Sequence, residues 1–159
     1  MLKILSLNVK NHSGVLAKIS GMFSGKGFNL ESLTVGVTPD PTLSRITLVC
    51  KSSNTEFEQV KKQLNKLVDV IKVRDFTNRE VVKKELAFIK IQANHEEKGK
   101  IIPIAEAFGA TIQDISLDTL IFELTASFDK VNHFLNILSG YRILEVARSG
   151  LVAMELSRK

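Results

Sequence analysis

The period of apolar residues changes repeatedly along the first half of the chain. "LKILSLNV" (2–9), with Leu2, Ile4, Leu7 and Val9, predicts a strand, and residues 14–25 then switch to helical spacing with Val15, Leu16, Ile19, Met22 and Phe23 in one stripe. "GKGFN" (25–29) supplies glycines suited to stopping that helix, and "FNLESLTVGV" (28–37) predicts a second strand. "TPDPT" (38–42) is a turn leading into "LSRITLVCK" (43–51), which together read as a hairpin. Asn54 or Thr55 is expected to cap a second helix carrying Phe57, Val60, Leu64, Leu67 and Val68, and "VIKVRDF" (70–76) closes the unit as a strand.

The second half repeats this order. "LAFIKIQA" (86–93) predicts a strand, Ile101, Ile104, Ala105 and Phe108 a helix, and "ATIQDISL" (110–117) and "TLIFELTA" (119–126) two strands. Val131, Phe134, Leu135 and Leu138 form a further stripe, and "RILEVARSG" (142–150) a last strand. Pro103 fits the third helix only if that helix begins there. Glu96, Glu97, Lys98 and Lys100 read as a solvated loop. The expected fold is α+β, two tandem ferredoxin-like βαββαβ domains: a first domain over 1–77, a polar connector over 78–85 and a second domain over 86–159. Each sheet would have helices on one face only, yet Ile46, Leu48, Val49, Ile71 and Val73 put apolar groups on both parities. An open apolar face predicts a homodimer.

Composition removes most chemistry. The apolar fraction of 44% in 159 residues is that of a folded domain or two. No apolar run approaches the roughly 20 residues of a membrane span, so a cytoplasmic protein is expected. Cys50, the single cysteine, sits in an apolar run and reads as a small buried hydrophobe. The net charge of +5 comes from residues 1–79, with 12 basic and 6 acidic side chains against 10 and 11 in the rest. It is scattered along the elements, which argues against nucleic acid as a partner. The RNA-binding aromatic strand motif is missing too. His12, His95 and His133 have no metal-ligand spacing, and no nucleophile or phosphate-loop motif follows a strand, so no catalytic residue, metal or cofactor is expected in this chain.

One loop stands apart. In "KNHSGVLAKI" (10–19), Asn11 and Ser13 are good helix-capping residues, and Gly14 permits close approach at a helix N-terminus, where free N–H groups and the dipole favour an anion. Taken alone, the same residues read first as a simple cap by Ser13 and a tight turn at Gly14.

The stretch "NHSGVLAKISGMFSGKGFNLESLTVGVTPDPTLSRITL" (11–48) resembles the ACT domain of the regulatory small subunits of acetolactate synthase. "FNLESLTV" followed by "DPTLSR" is the specific part, and "QLNKLVDVIKV" (63–73) and "EVARSG" (145–150) extend the resemblance over nearly the whole chain. It implies a subunit without chemistry of its own, which activates a catalytic large subunit and carries feedback inhibition by valine or another branched-chain amino acid. Thiamine diphosphate, magnesium and FAD would then belong to the partner. It further implies an effector site between two ACT domains, made by Asn11, His12, Ser13, Gly14, Val15 and Leu16 of one chain and Asn29, Leu30 and Glu31 of the other. His12 would lie at the pocket mouth or face solvent. The hairpin residues Asp40, Pro41, Ser44 and Arg45 are the expected contacts to the catalytic subunit, Arg45 alternatively forming a structural salt bridge. A free-standing amino-acid sensor acting on another protein is the second reading.

Overall fold

The computed structural model describes residues 2–25 and 28–157. Strand β1 (Leu2–Lys10) is apolar on both faces because it is central: β3 (Leu43–Lys51) and β4 (Val70–Asp75) pair with it antiparallel on either side. β2 (Leu30–Val37) adds to the outer side of β3, giving the order β2-β3-β1-β4. Helices α1 (Val15–Gly25) and α2 (Asn54–Leu64) cover one face. From them Val15, Ile19, Phe23, Phe57, Val60 and Leu64 pack on Leu5, Leu7, Val9, Ile46, Leu48 and Cys50. Each large side chain so buried contributes about 1.5–3 kcal/mol. Burial also pushes the Cys50 thiol up from its ordinary range. The expected helix stop at 25–29 includes residues 26 and 27, which lie outside the described residues.

The cap of α2 differs from expectation by one residue. Ser53 accepts from the Glu56 N–H while the Glu56 carboxylate accepts from the Ser53 N–H at 2.7 Å, a reciprocal capping box. Asn54 is engaged elsewhere, its Oδ1 accepting from the buried Lys3 ammonium at 2.7 Å.

The second unit repeats the plan. β5 (Val81–Gln92), β6 (Thr111–Ile115), β7 (Thr119–Ala126) and β8 (Arg142–Arg148) form a sheet in the order β6-β7-β5-β8. α3 (His95–Ala107) and α4 (Phe128–Leu138) supply Ile101, Ala105, Val131, Phe134 and Leu138 to its core. Here the sequence reading needs correction. α3 begins eight residues before Pro103, and Glu96, Glu97, Lys98 and Lys100 are its first turns instead of a loop. Asn94 and Glu97 form a second capping box that offsets the proline. The carbonyl that Pro103 leaves without a helical donor belongs to Gly99, which is exposed to water.

The largest departure is at the C-terminus. Described residues up to Lys83, and again from Leu151, belong to the first unit, and Lys84–Gly150 to the second. The expected connector over 78–85 is therefore partly the start of β5. The end of the expected second domain, with strand β9 (Val152–Glu155), returns to the first unit and pairs with β5. The Leu156 N–H donates to the Glu80 carbonyl at 3.1 Å. Leu151 and Ala153 are buried against Ile4, Val49, Phe76 and Val81, on the parity of the first sheet that the helices do not cover. So that face is not left open: the chain covers Ile4 and Val49 itself. Of the apolar residues that suggested a dimer, Ile46, Leu48 and Val49 are buried, and Ile71 remains exposed.

Candidate functional site

At the end of β1 the chain leaves the sheet, makes a loop over residues 11–14 and enters α1. Gly14 has φ +85° and its carbonyl accepts the first helical bond, from the Lys18 N–H at 3.0 Å. It therefore occupies the cap position for which Asn11 and Ser13 were candidates. A glycine there has no side chain to satisfy the first-turn N–H groups, and a Cβ added to it would meet nothing within 4 Å. The positive end of the helix dipole lies here, with no capping side chain on Gly14 itself. Val15 is buried in the core beneath it, while Leu16 is 44% exposed beside it.

Asn11 is tied down. Its backbone N–H donates to the Thr42 carbonyl at 2.7 Å and its side-chain Nδ2 to the Pro41 carbonyl at 2.9 Å. The loop and the "TPDPT" turn are thus brought together by the fold. That turn is closed internally by Asp40. Its Oδ1 accepts from the Thr42 hydroxyl (2.6 Å) and N–H (2.9 Å), bonds that hold the Asp40 carboxyl below its usual range. Asp40 and Pro41 are exposed, whereas Ser44 is buried. The Arg45 guanidinium donates to the Ala153 carbonyl at 3.3 Å and lies over the Phe76 ring, so it engages a carbonyl and an aromatic face within its own unit, not a carboxylate.

The His12 ring lies between two acceptors, Nδ1 3.0 Å from the Ser13 carbonyl oxygen and Nε2 3.0 Å from Asp69 Oδ1, and a neutral ring donates to one of them. Asp69, just ahead of β4 in sequence, also takes Lys18 at 2.7 Å on Oδ2, and its own carbonyl accepts from the Lys10 N–H at 2.9 Å. The hydrogen bond from Lys18, then that from His12, holds the Asp69 carboxyl below its ordinary value against a smaller opposing effect of burial. Sequence reasoning missed Asp69 and Lys18. The available signal was a carboxylate inside the apolar run "LVDV" (67–70), where an ionised group needs partners.

Asn29, Leu30 and Glu31 are not near this loop in the same chain. Leu30 aligns with Cys50 and Cys50 with Lys3, whereas the loop follows Lys10 at the other end of β1, seven residues away. That is about 23 Å along a strand. Asn29 and Glu31 are exposed at the start of β2, the edge strand. A groove of about 610 Å³ along α2, lined by Phe28, Gln59, Lys62, Gln63, Asn65 and Lys66, takes in none of the candidate residues. Among the described residues no group of His, Cys, Asp or Glu could hold a metal ion, and no helix is long and apolar enough to cross a membrane.

Residues 5–72 match the AHAS small subunit-like ACT domain, and residues 84–157 match the family described as the small subunit of acetolactate synthase. The chain is 43% identical over 155 residues to a probable acetolactate synthase small subunit of Archaeoglobus fulgidus, covering 98% of this chain and 97% of that one. It is 40% identical over 154 residues to the acetolactate synthase small subunit of Bacillus subtilis, covering 96% and 90%. The crystal structure of the small subunit from Thermotoga maritima superposes with a TM-score of 0.90 at 35% identity, over 100% of this chain and 99% of that one. Matched from end to end in sequence and fold, the chain belongs to the acetolactate synthase small-subunit family.

Proposed function

We propose that this chain is the regulatory subunit that binds the catalytic large subunit of acetolactate synthase, raises its activity and confers feedback inhibition by valine. Thiamine diphosphate, magnesium and FAD, and all bond-making chemistry, reside in that partner. The observation that carries the effector reading is Gly14: a cap at φ +85° with no side chain of its own leaves the first-turn N–H groups of α1 without a capping oxygen from that residue, which suits a small carboxylate. The amino acid's carboxylate accepts from the N–H groups near Gly14 to Leu16, and Asn11 lies beside it. Its branched side chain rests on an apolar surface that includes Leu16.

The other half of the pocket comes from a second copy. Asn29, Leu30 and Glu31 sit at the far end of an edge strand that has one free side, so two first units meeting along β2 bring the start of that strand to the partner's loop. A pocket made from two chains lets the ligand bias their arrangement by its differential affinity alone. At about 100 times its dissociation constant that bias is ~2.7 kcal/mol. In this reading residues 1–77 bind effector and dimerise, and the hairpin tip at Asp40 and Pro41 faces the catalytic subunit, while Ser44 and Arg45 secure the hairpin from behind.

The test is to mix the purified protein with acetolactate synthase catalytic subunit, with and without valine. Acetolactate formation is expected to rise on mixing and fall again with valine. No change of rate on mixing would defeat the proposal and leave the free-standing sensor.

A further inference from the structure

The effector loop is fastened on both sides of Gly14 by one carboxylate. Asp69 is 8% exposed, and its two oxygens are divided between His12, two residues before the glycine, and Lys18, four residues after it in the second turn of α1. Its backbone carbonyl meanwhile takes the Lys10 N–H, so the carboxylate is anchored to the sheet at the point where β1 ends. His12 in turn reaches the Ser13 carbonyl with its other nitrogen. The chain from Lys10 to Lys18 is thereby held at three points by a single residue that sits just ahead of β4.

We infer that Asp69 is the positioning residue of the effector loop. It fixes the path of residues 11–14 and the start of α1 before ligand arrives, so that the open N–H groups need no reordering on binding. The consequence for affinity rests on the effector reading above; the consequence for the free loop does not. Charge-assisted hydrogen bonds to a nearly buried carboxylate are the strong ones, and ordering a binding loop in advance removes that cost from the binding step. Lys18 and His12, 59% and 49% exposed, are both drawn to the Asp69 carboxylate, which pairs them within the chain. The effector anion meets backbone N–H groups instead.

Asp69→Asn is the informative change, because an amide keeps the volume but gives up the negative charge and one of the two acceptor oxygens that His12 and Lys18 divide. In the ligand-free full chain, amide hydrogen exchange at Asn11 and Lys18, whose N–H groups donate to the Thr42 and Gly14 carbonyls, is expected to rise about tenfold or more while the amides at the centres of β1 and β3 keep their protection. The 15N signals of the His12 ring are expected to move toward those of an unrestrained imidazole. Unchanged exchange and unchanged ring signals would overturn the inference. Calorimetric titration with valine, leucine and isoleucine should then show the variant binding about tenfold more weakly than the unaltered protein. His12→Gln should add little to the loss in Asp69→Asn, since both act through one contact. Equal affinity of variant and unaltered protein also overturns it. If the unaltered protein binds none of the three, it is the effector reading that has failed, and the exchange and ring-signal measurements decide the positioning role alone. Should Asp69→Asn fold poorly by circular dichroism, Lys18→Met and His12→Gln measured singly carry the same expectation in smaller steps.

Discussion

The two units enter their first helices in opposite ways. At α3 Asn94 accepts from the Glu97 N–H at 3.0 Å and Glu97 accepts from the Asn94 N–H at 2.8 Å, so the helix end satisfies itself. At the matching position of the repeat, α1 begins with Gly14 and has no side chain at its cap. Both helices pack the same kind of stripe onto the same kind of sheet. One end is closed to ligands by its own side chains and the other is open. A βαββαβ unit does not need the uncapped arrangement for stability, since its neighbour manages without it, and this contrast supports the effector site proposed for the loop at 11–14.

The strongest way to break that contrast is to place a capping carboxylate where the second unit has the side chain of Asn94. Gly14→Asp should raise the valine concentration for half-inhibition by about a hundredfold, ~2.8 kcal/mol. An anion then occupies the helix end, and a Cβ is forced onto a residue at φ +85°. Gly14→Ala carries the backbone strain without the charge and should lose far less, about 1 kcal/mol. Valine titrations of the reconstituted enzyme separate the two: equal losses would assign the effect to strain and remove the anion site.

Next in size is the cover that the first unit obtains from the far end of the chain. Leu151→Ala should destabilise that unit by about 2–3 kcal/mol, measured by urea unfolding, because it empties the space between Ile4, Val49 and Phe76. A loss under about 0.5 kcal/mol would mean that β9 merely rests on the sheet. A smaller effect tests the caps directly. Asn94→Ala should cost about 1 kcal/mol, and Ser13→Ala within about 0.5 kcal/mol of nothing, since Gly14 and not Ser13 holds the cap of α1.

How much of this was legible depended on whether the cause was local. Hydrophobic period placed every helix and strand of the two repeats because one face of each element meets one sheet. Motif resemblance then located the loop. What could not be read was the work of contacts distant in sequence. The apolar residues Leu151 and Ala153 gave no sign that they return to Ile4, 147 and 149 residues away, and Asp69 gave no sign of His12, 57 residues before it. Pro103 misled for a different reason: a proline reads as a helix start, but a capping box whose residues lie nine and six positions upstream outweighs one missing hydrogen bond on a wet face.

Acid should expose the same division between the units, with the smallest effect near neutrality. Asp40, Glu56, Asp69 and Asp75 all lie in the first unit, and each is held below its ordinary value. For Asp69 the cause is the Lys18 bond, then the His12 bond. At Asp75 burial pushes the other way and is outweighed by the hydrogen bonds from Thr77 and Lys61. A carboxyl whose folded value is depressed stabilises the fold above its unfolded value, about 3.8 for the aspartates and 4.5 for Glu56, and loses that contribution as pH falls through the lower folded value. Between pH 7 and 5 stability should therefore be nearly flat as far as these groups decide it. Below about pH 4 amides of β1 and α1 should lose exchange protection, and in Asp69→Asn the part of that loss that centres on residues 10–18 should already be present at pH 7. A variant whose protection at those amides still falls with acid as steeply as in the unaltered chain would show that the Asp69 carboxylate is not what couples the open helix end to the sheet.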